Sequence, residues 1–455
     1  MAHFTDLPPE VLALIGDLID TGATKKSLVL VSQFCRQHFT HLRWRQLRIG
    51  SRSWRFAKVL KPHAQLVRML QFESGVYKGF YEIDFPGLVS FETNYPEKDK
   101  KNKDVVVTLA DFISRHRTIR DITINTREMR LSHRIWETVL ASLLNPRRLR
   151  LEGGLPWGSV KNFICGPAFW QACSRFEEVF YKGWDQSGSL ELGTVDFSQL
   201  KCLDYTATPL PIDAAKIWRW MGTCSNLTRL HWGGTIPIEQ LATVTERPVW
   251  PHLEDFSLEY VRGSDEDLAA YILSHLPPLK HLKLSIGYLG PACFGILQER
   301  HLDSLRTLSM PGTKMATRKM ALDILLQSPK LVAFKVLSID LRDLRSNPQP
   351  WACRAPKHLQ ATFESDPNDP EADILLLKQL SKLVHLEGLN VRSYSTPIDF
   401  IDSVITEPSP SCIRAGRDLE IEDIEWMMDQ WPLLKTLSGR FTLDSTTQDT
   451  LMALI

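Results

Sequence analysis

Leu253-Glu254-Asp255-Phe256-Ser257-Leu258 is followed twenty-six residues later by Leu279-Lys280-His281-Leu282-Lys283-Leu284, then by Leu305-Arg306-Thr307-Leu308-Ser309-Met310 and Leu331-Val332-Ala333-Phe334-Lys335-Val336. Two earlier copies, Leu200/Leu203/Tyr205 and Leu227/Leu230/Trp232, extend the train, with offsets of 27, 26, 26, 26 and 26. At 43% apolar content one such triplet arises by chance in about one window in twelve, so the constant period carries the meaning. Weaker copies continue the register at Val67/Leu70/Phe72, Ile119/Ile122/Ile124, Phe176/Val179/Tyr181 and Leu386/Leu389/Val391, with Leu434/Leu437 a partial match. The alternation within each triplet predicts a strand. Between triplets lie helical stripes, such as Trp136, Val139, Leu140, Leu143, Leu144 before Pro146, and Leu268, Ile272, Leu276 before Pro277-Pro278. One strand and one helix cannot bury their own apolar faces, but stacked copies share a continuous core, so the expected fold class is α/β with the repeats forming a solenoid.

The array resembles leucine-rich repeats of the longer, helix-containing kind. The asparagine or cysteine that usually follows the strand is absent; Val261, Gly287 and Thr313 stand in its place, so the repeats are degenerate. The competing reading is another α/β layering. Three stretches read as surface excursions: Asn94 to Lys103, Ser346 to Pro356 and Glu364 to Asp373. The spacing from Leu331 to Leu386 is near two periods, so one divergent repeat is expected to carry the last two excursions.

The whole chain of 455 residues carries 54 Lys+Arg against 53 Asp+Glu, which describes an ordinary globular protein and withholds the strongly basic balance of a nucleic-acid binder. Its eight cysteines include no C-x-x-C pair, so neither a zinc ribbon nor a disulfide scaffold is suggested, and reduced thiols are expected. No basic leader and no apolar run near ~20 residues appears, so the expectation is a protein of cytoplasm or nucleus with no membrane partner.

Nucleophile-elbow, zinc-helix and phosphate-loop motifs are absent, and neither a catalytic residue nor a metal ligand is nominated. Asp366-Pro367-Asn368-Asp369-Pro370 lacks the glycine of a calcium loop and reads as a solvated acidic loop. Cys35, His38 and His41 read as packing or surface residues. No cofactor is expected.

The first fifty residues differ in pattern. Pro8-Pro9-Glu10 suits a first helical turn, and Val11, Leu14, Ile15, Leu18 and Ile19 make one apolar stripe. After a break at Thr21-Gly22-Ala23-Thr24, Leu28, Leu30, Val31, Phe34, Phe39, Leu42, Trp44 and Leu47 supply a second and third helical segment. So small a module buries little surface, and part of its apolar face is expected to meet a partner.

The run Leu7-Pro8-Pro9-Glu10-Val11-Leu12, with Leu14-Ile15, Leu28-Val29-Leu30-Val31-Ser32, Phe34-Cys35-Arg36 and Leu42-Arg43-Trp44-Arg45-Gln46-Leu47, resembles an F-box of the form common in fungal proteins. Departures are Thr24-Lys25-Lys26-Ser27, where an acidic residue is frequent, and Cys35-Arg36 in place of Trp-Arg or Phe-Arg. The division that follows is an F-box at 1–50, a linker helix at 51–65 and a degenerate leucine-rich-repeat array at 66–455.

The resemblance implies a non-catalytic substrate receptor of an SCF-type cullin-RING ubiquitin ligase, acting in ubiquitin-dependent protein degradation. The F-box would dock on an acidic Skp-type adaptor, joined to the cullin complex, through Leu7, Pro8, Pro9, Val11, Leu12, Ile15, Leu28, Val31 and Trp44. The repeats would capture an unidentified protein target. Alternatives are an adaptor-binding scaffold without a degradation role, or an enzyme with an unrecognised site.

Two further features bear on partners. From Asp20 to Glu73 no carboxylate side chain intervenes, whereas Lys25, Lys26, Arg36, Arg43, Arg45, Arg48, Arg52, Arg55, Lys58, Lys61 and Arg68 are all cationic. Such a stretch steers an acidic partner; with Trp44 and Trp54 interleaved, nucleic acid is the competing ligand, which the neutral remainder of the chain disfavours. In the strands, alternation sends one set of residues outward onto the concave face: Phe180, Lys182, Asp204, Arg229, His231, Asp255, Ser257, His281 and Lys283. Of these, Phe180, Lys182, Arg229, His231, Asp255 and His281 are the candidate target contacts.

Overall fold

The computed structural model describes Leu7, Pro8, Val11, Leu12, Ile15, Ser27, 30–35 and Phe39, then 44–50, 54–73, 78–94, 103–125, 139–152, 167–183, 195–207, 220–233, 250–261, 266–286, 288–311, 313–315, 317, 319–346, 348–364, 375–376, 378–392 and 429–439. Residues 1–226 and 227–455 form two compact units.

The first unit lays down seven described strands in chain order, each parallel to the next: β1 (Gln46–Ile49), β2 (Met69–Phe72), β3 (Ser90–Asn94), β4 (Asp121–Asn125), β5 (Arg148–Glu152), β6 (Glu178–Gly183) and β7 (Cys202–Ala207). The returns include α1 (Trp54–Leu60), a 3-10 turn at Lys61–Leu66, α2 (Lys103–Arg115) and α3 (Pro167–Cys173). Register is fixed by the apolar positions: Leu47, Leu70, Phe91, Ile122, Leu149, Val179 and Leu203 form one buried row across the strands. A one-residue slip would turn such a row to solvent, which is why the pairing is uniquely specified. Behind β2 and β3 the row is backed by an aromatic cluster in which Phe72 meets Tyr81, Phe91 and Phe112 at 5.1, 5.4 and 5.8 Å.

The second unit repeats the scheme with β8 (Arg229–Gly233), β9 (Asp255–Val261), β10 (His281–Ile286), β12 (Thr307–Ser309), β14 (Ala333–Asp340), β15 (His358–Glu364), β16 (Gly388–Arg392) and β17 (Thr436–Gly439) in one parallel sheet. Two short strands, β11 (Tyr288–Leu289) and β13 (Lys314–Met315), pair in the returns. Here the buried row is Leu230, Phe256, Leu282, Leu308, Phe334, Leu359 and Leu389, with Leu437 next in register. The helices α4 (Glu266–His275), α5 (Pro291–Arg300), α6 (Lys319–Gln327) and α7 (Leu341–Ser346) complete the repeats. One parallel strand per repeat, in chain order, makes each unit α/β with the architecture of a leucine-rich-repeat-type solenoid.

One residue before the strands runs a backbone ladder. The amides of Lys280, Arg306, Val332, Lys357, Glu387 and Lys435 each donate to the carbonyl of the equivalent residue one repeat earlier, at 2.7 to 2.9 Å. Thr313, in the position left without its asparagine, is buried, and its hydroxyl donates to the carbonyl oxygen of Leu284 at 3.0 Å. A threonine thus supplies the inter-repeat donor. Between α4 and α5, the Glu266 carboxylate accepts the Ala292 amide at 2.7 Å and caps the first turn of α5. A Cβ on Gly290 would lie 1.7 Å from that carboxylate, so any larger residue there would displace the Glu266 cap.

The structure departs from the sequence reading in three places. Leu47 belongs to β1 rather than to a helix, so the sheet begins inside the segment assigned to the F-box: Leu47 and Ile49 alternate inward, a period that serves a strand and not a helix. The stretch 348–356 is not a solvated excursion, because Trp351 and Cys353 are buried and the Trp351 amide donates to Gln379 Oε1 at 3.4 Å. Leu144, expected on the buried stripe with Val139, Leu140 and Leu143, is exposed. The divergent repeat expected between Leu331 and Leu386 is β15, preceded by Pro356 where other repeats carry an apolar residue. The acidic loop at 366–370 and residues 95–102 lie outside the described residues.

Candidate protein-interaction surfaces

The N-terminal module holds a small core of Leu12, Cys35 and Phe39, with Leu7 and Phe34 packed against it. Around that core apolar side chains face solvent: Leu30 is 73% exposed, Val31 71% and Val11 37%. Of the candidate adaptor contacts, Pro8, Val11 and Val31 are exposed, Leu7 and Ile15 half-buried, and Pro9 and Leu28 outside the described residues. Leu12 and Trp44 are buried. Trp44 stacks on His63 at 4.4 Å and on Phe56 at 5.9 Å, which commits its ring to the packing of α1 and the following turn. Both residues therefore support the module rather than offer contact area. In the basic stretch, Arg48 pairs with Glu73 and Arg68 Nη1 donates to the Gly87 carbonyl at 2.9 Å, while Lys58 and Lys61 are exposed.

All six candidate target contacts lie on the outward strand face, opposite the buried rows. In the first unit the Arg150 guanidinium sits 5.8 Å from the centroid of the Phe180 ring, so that ring is half-buried rather than bare. Arg148 pairs with Glu178 at 2.7 Å, and Lys182 is exposed.

In the second unit Arg229 pairs with Asp255 at 2.9 Å. Glu259 lies between Lys283, which it pairs, and His231, 3.4 Å away. His281 Nδ1 and Thr307 Oγ1 share a hydrogen bond at 2.8 Å. The candidates on β8, β9 and β10 thus form a paired ionic face. Ser257, between them, is buried. Such exposed pairs contribute under ~1 kcal/mol each and are weakened by salt, so they set local complementarity more than stability.

Further along the same face, β12, β14, β15 and β16 floor a depression of about 380 Å³, lined among others by Ser309, Lys335, His358, Gln360 and Asn390. Sequence reasoning did not nominate these residues. The alternation rule reaches Ser309 and Lys335 directly, whereas Gln360 belongs to the repeat hidden by Pro356, which stands where other repeats carry an apolar residue.

Buried thiols are chemically quiet. Burial pushes Cys224, Cys293 and Cys353 up to about 12, and Cys173 well above the usual thiol range. A protonated, inaccessible thiol is no nucleophile at neutral pH. Among the described residues no group of three His, Cys, Asp or Glu is placed to hold a metal, and no helix is long and apolar enough to cross a membrane.

No family model matches the chain, and no curated protein matches it. Among solved structures, the leucine-rich repeat-containing protein LegL7 from Legionella pneumophila is similar over 90% of this chain and 96% of its own, at 9% identity and a TM-score of 0.27.

Proposed function

We propose that the chain is a protein-binding receptor of the F-box type, the substrate-recognition subunit of an SCF-type cullin-RING ubiquitin ligase. The N-terminal module binds a Skp-type adaptor, the outward strand face binds a protein target, and the chain itself performs no catalysis. The observation that supports this most is, among the described residues, the exposed apolar side chains of Val11, Leu30 and Val31 beside the core of Leu12, Cys35 and Phe39. Contiguous or clustered apolar exposure on a small helical module marks a contact surface. It coincides with the segment whose residues resemble an F-box.

The test is affinity purification of the whole chain and of a form lacking residues 1–43, a cut that leaves β1 in place. Adaptor and cullin are expected to disappear together from the truncated form, while partners held by the strand face remain. Recovery of adaptor with the truncated form would refute the assignment.

A further inference from the structure

We propose that the depression over β12, β14, β15 and β16 is the subsite that selects the target, and that it takes an extended peptide segment carrying an acidic side chain. This deepens the receptor reading above and rests on it.

Three observations converge. First, the depression combines room with polarity: Thr307, Ala333, His358 and Gly388 form one register row, and Ser309, Lys335, Gln360 and Asn390 the next. Ala333 and Gly388 project little, which opens the space between the longer side chains. Second, the charge pattern changes along the face. On β8 to β10 the outward cations Arg229 and Lys283 each face a carboxylate, Asp255 and Glu259. In the depression Lys335 is half-exposed and, among the described residues, forms no ion pair; its row neighbours are Ser309 and Gln360, which bear no charge. A lone ammonium in a row without carboxylates attracts an anion from outside the chain.

Third, Gln360 and Asn390 stand on adjacent strands at paired register positions. Each carboxamide can both donate and accept, which matches the alternating N–H and C=O groups of an extended main chain. Neighbouring strands lie about 4.8 Å apart. The path from Ser309 across to Asn390 is therefore about 14 Å, the length of four to five extended residues. A peptide crossing the strands would place its acidic side chain at Lys335 and its backbone over the two carboxamides. Carboxylate and phosphate share the charge that Lys335 recognises; a single ammonium, with no arginine among the lining residues, favours the carboxylate.

The experiment uses the whole chain and fluorescein-labelled heptapeptides of alanine with a central Asp-Glu-Asp, with Asn-Gln-Asn, or with a central phosphoserine, read by anisotropy at low salt. The acidic peptide is expected to bind, the neutral one up to about fivefold more weakly. Lys335→Ala should remove that difference and Lys335→Arg restore it, both with unchanged melting temperature. Gln360→Ala with Asn390→Ala should weaken acidic and neutral peptides alike. Equal binding of acidic and neutral peptides, preference for phosphoserine over the carboxylates, or indifference to Lys335→Ala would overturn the proposal. Failure here, with adaptor binding intact, removes the subsite alone; loss of adaptor binding by the unmodified chain removes the receptor reading.

Discussion

The main-chain amide of Phe85 donates a 2.8 Å hydrogen bond to Nε2 of His116, whose Nδ1 lies 2.6 Å from the carbonyl oxygen of Phe112. An Nε2 that accepts carries no proton, so this buried imidazole is neutral with its hydrogen on Nδ1. Burial lowers its pKa below the ordinary 6.5, and the Phe112 hydrogen bond and the nearby Asp84 carboxylate only partly oppose that.

A pH dependence follows. A histidine with a depressed folded-state pKa contributes stability that is fully present above pH 6.5 and lost as the pH falls through the folded-state value. Buried His301 shifts in the same direction, again mainly by desolvation. The melting temperature should therefore fall between pH 7.5 and 5.5, and His116→Gln, which keeps an acceptor without titrating, should flatten that fall. An identical slope in both proteins would refute the role of His116.

The Thr313 bond to Leu284 yields a second prediction. Thr313→Val keeps the shape and leaves a buried carbonyl without its donor, at a cost of about 1–3 kcal/mol. Thr313→Ser should recover most of it. Urea unfolding measures both, and no loss in Thr313→Val would show that the carbonyl finds another partner.

Glu387, held between Lys357 at 2.7 Å and Lys435 at 2.6 Å, has its pKa lowered from 4.5 to about 2 by those two hydrogen bonds. A depressed carboxylate stabilises above its unfolded value, and the contribution disappears as pH falls from about 4.5 toward 2. The effect should shrink in high salt because the lysines are solvent-exposed. Replacing it by Glu387→Gln should remove that acid sensitivity without unfolding the protein at pH 7, as acid titration at two salt concentrations would show.

Burial separates the N-terminal residues into two classes. Trp44→Ala should destabilise the protein by about 3–5 kcal/mol, since a buried ring leaves a cavity. Leu30→Ser with Val31→Ser should change stability by under ~0.5 kcal/mol per site. Thermal melts of the two variants check the contrast; similar losses would show that Leu30 and Val31 pack inside the molecule.

Strands were legible where all three positions of the triplet are apolar, as at Leu279/Leu282/Leu284 and Leu200/Leu203/Tyr205. They were hidden where one is not: Thr93 in β3, Pro146 ahead of β5, Pro356 ahead of β15. Burial tolerates these because the neighbouring rows are continuous, a property of the stack that no single repeat reveals. Trp44/Leu47/Ile49 also fits the triplet, but its overlap with a helical stripe concealed β1. The outward residues followed from alternation alone. Their pairing did not, since Glu259 reaches both His231 and Lys283 from another strand, and neither the Arg150 cover on Phe180 nor the depression at Lys335 leaves a local signature.

The most direct measurement is equilibrium binding of a purified Skp-type adaptor to the whole chain and to the Leu30→Ser/Val31→Ser variant. If these exposed side chains anchor the contact, the variant should lose about 2 kcal/mol or more, a dissociation constant at least roughly thirtyfold weaker, with an unchanged melting temperature. Absence of adaptor binding by the unmodified chain, or equal affinity for both proteins, would contradict docking through this module.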